Sequence, residues 1–108
     1  MSAALHELTC GPIAAGHALA PDQWPPMLAQ LKGWVVLDGV LQKSFRFSGF
    51  HHTMAFVNVV AWVAHAEDHH PDLLVSYGFC TVRFSTHSVG GISINDFICA
   101  AQVDALVV

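Results

Sequence analysis

The run from Phe50 to Asp68 contains neither glycine nor proline, is apolar on nearly every side, and is closed by Pro71. Phe50, Met54, Val57, Ala61 and Ala64 recur at helical spacing, which predicts one long helix with a core-facing stripe. Val59, Trp62, Val63 and Ala66 fall on its other faces. A helix that is apolar all round must bury a second face, and a chain of 108 residues has room for one core only. The expectation is therefore a homo-oligomer, dimer or tetramer, built through helix 50–68. The composition agrees: 54% of the residues are hydrophobic and 11% charged, a balance that excludes disorder.

The remaining elements follow from local patterning. Residues 1–20, interrupted by Gly11, Pro12 and Gly16, have no period and read as an irregular, functionally silent arm before one domain over 21–108. From Pro21, Trp24, Met27, Leu28 and Leu31 keep a helical spacing that Gly33 ends. Trp34–Leu37 and Val40–Phe47 flank Asp38-Gly39, a dipeptide that favours a tight hairpin turn. In the second run Phe45 and Phe47 alternate with Ser44 and Arg46. Leu73–Thr86 reads as two strand pieces around Gly78, with Cys80, Val82 and Phe84 alternating against Thr81, Arg83 and Ser85. Ser93 and Asp96 form a capping box for a last helix that reaches about Leu106. The predicted fold class is α+β: an antiparallel four-stranded sheet with three helices packed on one face, in the order α-β-β-α-β-β-α.

Charge and cysteine usage narrow the function. The net charge is −4, and Lys32, Lys43, Arg46 and Arg83 are too few and scattered to neutralise a run of phosphates, which argues against direct nucleic-acid binding. Cys10, Cys80 and Cys99 are odd in number and form no C-x-x-C, so a reducing, cytoplasmic setting is expected. His65, Glu67 and Asp68 in or beside the most apolar stretch argue against a membrane span, and no signal peptide is read.

The histidines carry the chemistry. His6, His17, His51 and His52 lie in the arm or at a helix start, where surface or capping roles suffice. His69 and His70 sit at the exit of the long helix, and His87 lies just beyond a strand, where pocket residues gather. Imidazoles supply both acid and base near neutral pH. The plainer reading of His69 and His70 is favourable contact with the helix dipole; that of Asp96 is capping, and that of Tyr77 is packing. A metal reading, with His65 and His69 four apart and His87 as a third ligand, is weaker, because Ala66 stands where H-E-x-x-H requires glutamate.

The stretch HAEDHHPDLLVSYGFCTVRFSTHSVGGISIND, His65 to Asp96, resembles the signature of the pterin-4a-carbinolamine dehydratases. His69-His70-Pro71, Tyr77, Ser85-Thr86-His87 and Asp96 keep its spacings, and Gly33-Trp34, Phe45, Phe47, Phe50, Phe56 and Ala61 extend the likeness upstream. The chain departs from the family at His65, commonly glutamate, at Leu73, where an aromatic residue follows the proline, and at Asn95, often arginine. The resemblance implies dehydration of a 4a-hydroxytetrahydropterin to the quinonoid dihydropterin during tetrahydrobiopterin recycling, with no metal and no cofactor. It assigns proton transfer to His69 and His87, and substrate orientation to His70. Asp68, Pro71, Ser85, Thr86, Ser88 and Asp96 join these histidines in lining the pterin. It also implies a tetramer through the long helices. The alternative from another class is a non-catalytic binding module on the same fold, a transcriptional coactivator or assembly factor.

Overall fold

The computed structural model describes residues 4–14 and 16–107. Helix α1 spans Trp24–Leu28, α2 Phe50–Glu67 and α3 Ile94–Leu106; strands β1 (Val35–Leu37), β2 (Val40–Arg46), β3 (Asp72–Val75) and β4 (Phe79–Phe84) form one antiparallel sheet ordered β1-β2-β4-β3. The α+β class and the element order are as the sequence predicts.

The hairpin forms because Asp38 and Gly39 both take positive φ, 53° and 73°, as a tight turn between right-twisted strands requires. The pairing of β2 with β4 sets Leu41 opposite Phe84 and Phe45 opposite Cys80. Alternation then sends Leu41, Cys80, Val82 and Phe84 to the helical side, all buried, and leaves Ser44, Arg46 and Arg83 exposed. Trp34, Phe45, Phe47, Phe56 and Phe84 form an aromatic cluster; the Phe45 and Phe56 rings lie 4.4 Å apart. Helix α3 lies deepest, with Asn95–Ala101 buried without a break.

Three expectations need correction. The core-facing stripe of α2 is Thr53, Phe56, Val60 and Val63, one residue out of phase with the predicted one. Phe50 and Ala61 are exposed, and Met54, Val57 and Ala64 half-buried. Thr53 can sit in the core because its hydroxyl has two carbonyl acceptors, Gly49 O at 3.0 Å and Tyr77 O at 2.8 Å. The helix expected from Pro21 to Gly33 is a 3₁₀ turn, Pro21–Gln23, followed by the short α1, and Gln30 and Leu31 donate to carbonyls only three residues back. Pro25 and Pro26 offer no amide with which to build a longer first turn. Tyr77, expected to pack, is 70% exposed and stacks on Phe50 at the surface.

The arm is tied down where the structure describes it. Leu5 is buried in the core, and the Leu19 amide donates to Ile92 O at 2.8 Å. The β3 edge is open: Leu73, Leu74 and Val75 all stand exposed.

Candidate active site

The site begins where α2 ends. Asp68 takes a left-handed conformation, φ 50°, and the chain reverses so that the His69 amide still bonds Ala64 O at 3.1 Å. This turn lays the His69 ring flat over Phe84, with planes 8° apart and centroids separated by 6.1 Å. His69 Nε2 meets Asp96 Oδ1 at 2.5 Å.

Asp96 is wholly buried, a costly place for a carboxylate unless its oxygens are saturated. They are. Oδ2 accepts the Thr86 hydroxyl at 2.8 Å and the Ser93 amide at 2.9 Å. Asp96 also stands in the first turn of α3, where the helix dipole favours negative charge. The hydroxyls have a direction. The Asn95 amide donates to Ser93 Oγ at 3.2 Å. Ser93 is 2.7 Å from Thr86 Oγ1, and since Thr86 gives its proton to Asp96, Ser93 must donate to Thr86. The predicted capping box thus ends on the carboxylate that meets His69. With Nε2 donating to an acceptor-only carboxylate, Nδ1 carries the free lone pair of a neutral His69.

The other predicted residues divide between two depressions. Asp68, His70 and Pro71 line a groove of about 360 Å³ between α2 and β3, with Val60, Ala61, Ala64, His65 and Leu73. Ser85, Thr86 and His87 line a second of about 210 Å³, with Asp38, Gly39, Val40, Gly90 and Gly91. His70 and His87 are exposed, as is Ser88 in the 3₁₀ turn His87–Val89. The Thr86 amide bonds Gly91 O at 2.7 Å and closes this loop against the end of β4. Neither depression contains both His70 and His87, yet His87 is one residue from Thr86, which bonds the carboxylate holding His69. His6, His17, His51 and His52 are exposed. Among the described residues no group of three His, Cys, Asp or Glu side chains is placed to hold a metal ion, and no helix is long and apolar enough to cross a membrane.

What sequence reasoning missed lies in the arm. The Cys10 and Cys99 sulfurs are 3.6 Å apart, and all three cysteines are free thiols. The contact with Cys10, and then burial, push the Cys99 thiol up; burial alone raises that of Cys80. Cys10 and Gly11, with Pro12, Glu67, Asp68 and Asn95, border a third depression of about 330 Å³. The Cys10 amide holds the Glu67 carboxyl below its ordinary range, with a smaller contribution from Gln102 that partial burial opposes. Spacing gave no signal of these ties, because the partners are more than fifty residues apart in the chain.

Comparison with known proteins concurs with the chain's own pattern. The family model described as pterin 4 alpha carbinolamine dehydratase matches residues 17–106. A Chromobacterium violaceum protein, whose name provisionally assigns it pterin-4-alpha-carbinolamine dehydratase activity, is 47% identical over 94% of both chains. A similarly named protein of Stenotrophomonas maltophilia is 53% identical over 83% of this chain and 79% of its own. Among solved structures, a transcriptional coactivator/pterin dehydratase from Brucella melitensis superposes with a TM-score of 0.78 at 28% identity, over 82% of this chain and 97% of that one. A pterin dehydratase-like RuBisCO assembly factor of the alpha-carboxysome shares the fold, with a TM-score of 0.60 at 22% identity, over 71% of this chain and 92% of its own. The chain belongs to the pterin 4 alpha carbinolamine dehydratase family.

Proposed function

We propose that this chain dehydrates the 4a-carbinolamine of a tetrahydropterin to the quinonoid dihydropterin, as a step of tetrahydrobiopterin recycling, by histidine acid/base catalysis. The observation that carries the reading is the His69–Asp96 pair, a half-buried imidazole held by a fully buried carboxylate whose other oxygen has two donors. Such an arrangement fixes one imidazole nitrogen and leaves the other for substrate.

The chemistry asks for two proton movements. The lone pair of the ring nitrogen beside C4a forms a C=N bond as the C4a–O bond breaks. An acid protonates the departing hydroxyl, which leaves as water, and a base takes a proton from a ring nitrogen. His69 and His87 carry these transfers, and His70 orients the ring. Asp68, Pro71, Ser85, Thr86, Ser88 and Asp96 complete the pterin's surroundings, Asp96 acting through His69. A positioned proton transfer is worth about 10² to 10⁴-fold. His69→Ala and His87→Ala should therefore each lower the dehydration rate, followed by absorbance on freshly generated carbinolamine, by about that factor. A wild-type protein no faster than buffer removes the proposal.

The same reading makes the working molecule a cytoplasmic homo-oligomer assembled through α2, on which Phe50 and Trp62 are exposed, Trp62 at 64%. A second reading, a binding module, is favoured by the structural relatives named as a transcriptional coactivator and as an assembly factor. It requires that the histidine variants keep full biological activity in cells.

A further inference from the structure

The two halves of the His69–Asp96 pair arrive from different elements, and a short piece of the arm is fastened to both. Glu67, two residues before His69, accepts the Cys10 amide on Oε1 at 2.7 Å and Gln102 Nε2 on Oε2 at 3.0 Å. Asn95, one residue before Asp96, accepts the Gly11 amide at 3.2 Å and donates its Nδ2 to Gly11 O at 2.8 Å. Gln102 Nε2 also donates to Leu8 O at 3.1 Å. The consecutive peptides of Cys10 and Gly11 thus join the exit of α2 to the entry of α3, the two segments that carry His69 and Asp96.

This placement matters because the contact between His69 and Asp96 is short, and His69 leaves its helix through the left-handed turn at Asp68. A small drift of either segment would open it. Asn95 is itself buried, at 8% exposure, and both ends of its amide are engaged with one residue of the arm. A surface polar residue would have no need of either. The Glu67 carboxyl is held below its ordinary range by the same Cys10 amide.

From this geometry we infer that Glu67 and Asn95 are positioning residues, and that the Cys10–Gly11 segment is a strap through which they hold His69 against Asp96. The inference rests on the proposed role of His69, and it gives the arm a task in catalysis. Gln30 supplies the control: its Oε1 accepts the Leu5 amide at 3.0 Å, anchoring the arm elsewhere.

The test uses the full chain and the variants Asn95→Ala, Glu67→Ala, Glu67→Gln and Gln30→Ala. For each, kcat and KM for carbinolamine dehydration are measured across pH, together with the ¹⁵N resonances of the His69 imidazole during a pH titration. Asn95→Ala and Glu67→Ala are expected to lower kcat about tenfold with KM changed less than about twofold, the scale seen when a supporting hydrogen bond is removed. Both should shift the acid limb of the kcat profile and the His69 Nε2 resonance. Glu67→Gln keeps an oxygen facing Cys10 and should recover most of the rate, and Gln30→Ala should match wild type in every readout. Should Asn95→Ala not fold, Asn95→Asp, which keeps the acceptor and loses the donor to Gly11 O, stands in for it. Unchanged His69 resonances in the Asn95 and Glu67 variants, or an equal loss in Gln30→Ala, overturn the inference. If wild type lacks dehydratase activity the functional proposal fails alone, and the His69 resonances still decide whether the strap holds.

Discussion

Asp96 shows how one side chain serves two structures at once. It caps α3 and orients His69; its Oδ2 accepts the Ser93 amide and the Thr86 hydroxyl, and that hydroxyl in turn accepts from Ser93 Oγ. Thr86→Val keeps the volume and removes the hydroxyl, leaving a buried carboxylate oxygen short of a donor. The loss should be about 1–3 kcal/mol, read as a lower denaturant midpoint with an unchanged slope, and accompanied by slower dehydration. An unaltered midpoint would mean that the Thr86 hydroxyl contributes nothing. The cysteines make a second check: Cys80 and Cys99 are buried and their thiols raised, whereas Cys10 is half-buried. Brief treatment of the folded protein with iodoacetamide should modify Cys10 alone, as mass spectrometry of peptides can verify. The capping role of Asp96 and its place in the signature are both readable from Ser93-Ile94-Asn95-Asp96; its bond to His69 is not, since no local rule relates residues that far apart.

Among the elements, the hairpin and the last helix could be read from sequence because each is specified by its own residues. Asp38-Gly39 demands a turn wherever it occurs, and a capping box starts a helix without help from the rest of the fold. Helix α2 is different. Its existence is plain, but its rotation is not, because apolar side chains surround it and the core accepts a threonine whose hydroxyl bonds two carbonyls. Periodicity fixes a helical face only when the other faces are polar. The arm was unreadable for a related reason: its anchors are side chains on distant elements. Gly39 has φ +73° and nothing beyond its chain neighbours within 4 Å of where a Cβ would stand, so Gly39→Ala tests backbone strain without steric conflict. A loss of about 1 kcal/mol is expected by thermal or urea unfolding, and with it looser order in the depression that Gly39 shares with His87. Glu67 ties the arm to α2 in a pH-dependent way. Its folded pKa lies below the unfolded value near 4.5, so the stabilisation is complete above that value and disappears as the pH falls through the folded one. Exchange of the Cys10 amide, followed by mass spectrometry, should quicken over that acid range after correction for intrinsic rates. Glu67→Gln should remove the carboxylate-dependent part of the change; an identical profile would assign it to another group.

Among the described residues, apolar side chains stand exposed on the outer side of α2, with Trp62 64% exposed, and along the β3 edge, where Leu74 is 60% exposed. Trp62→Asp should lower the sedimenting mass while preserving the far-ultraviolet circular dichroism of the wild type, because that side chain takes no part in the core. A variant of undiminished mass would move the proposed contact elsewhere. The open strand has a consequence for handling as well. A sheet whose strand order ends at β3, with leucine and valine exposed along that strand, offers a template on which further strands can register. Heated or concentrated samples should therefore fail by fibrous growth from that margin rather than by amorphous clumping, and a lysine in place of Leu74 should act as a gatekeeper that delays it.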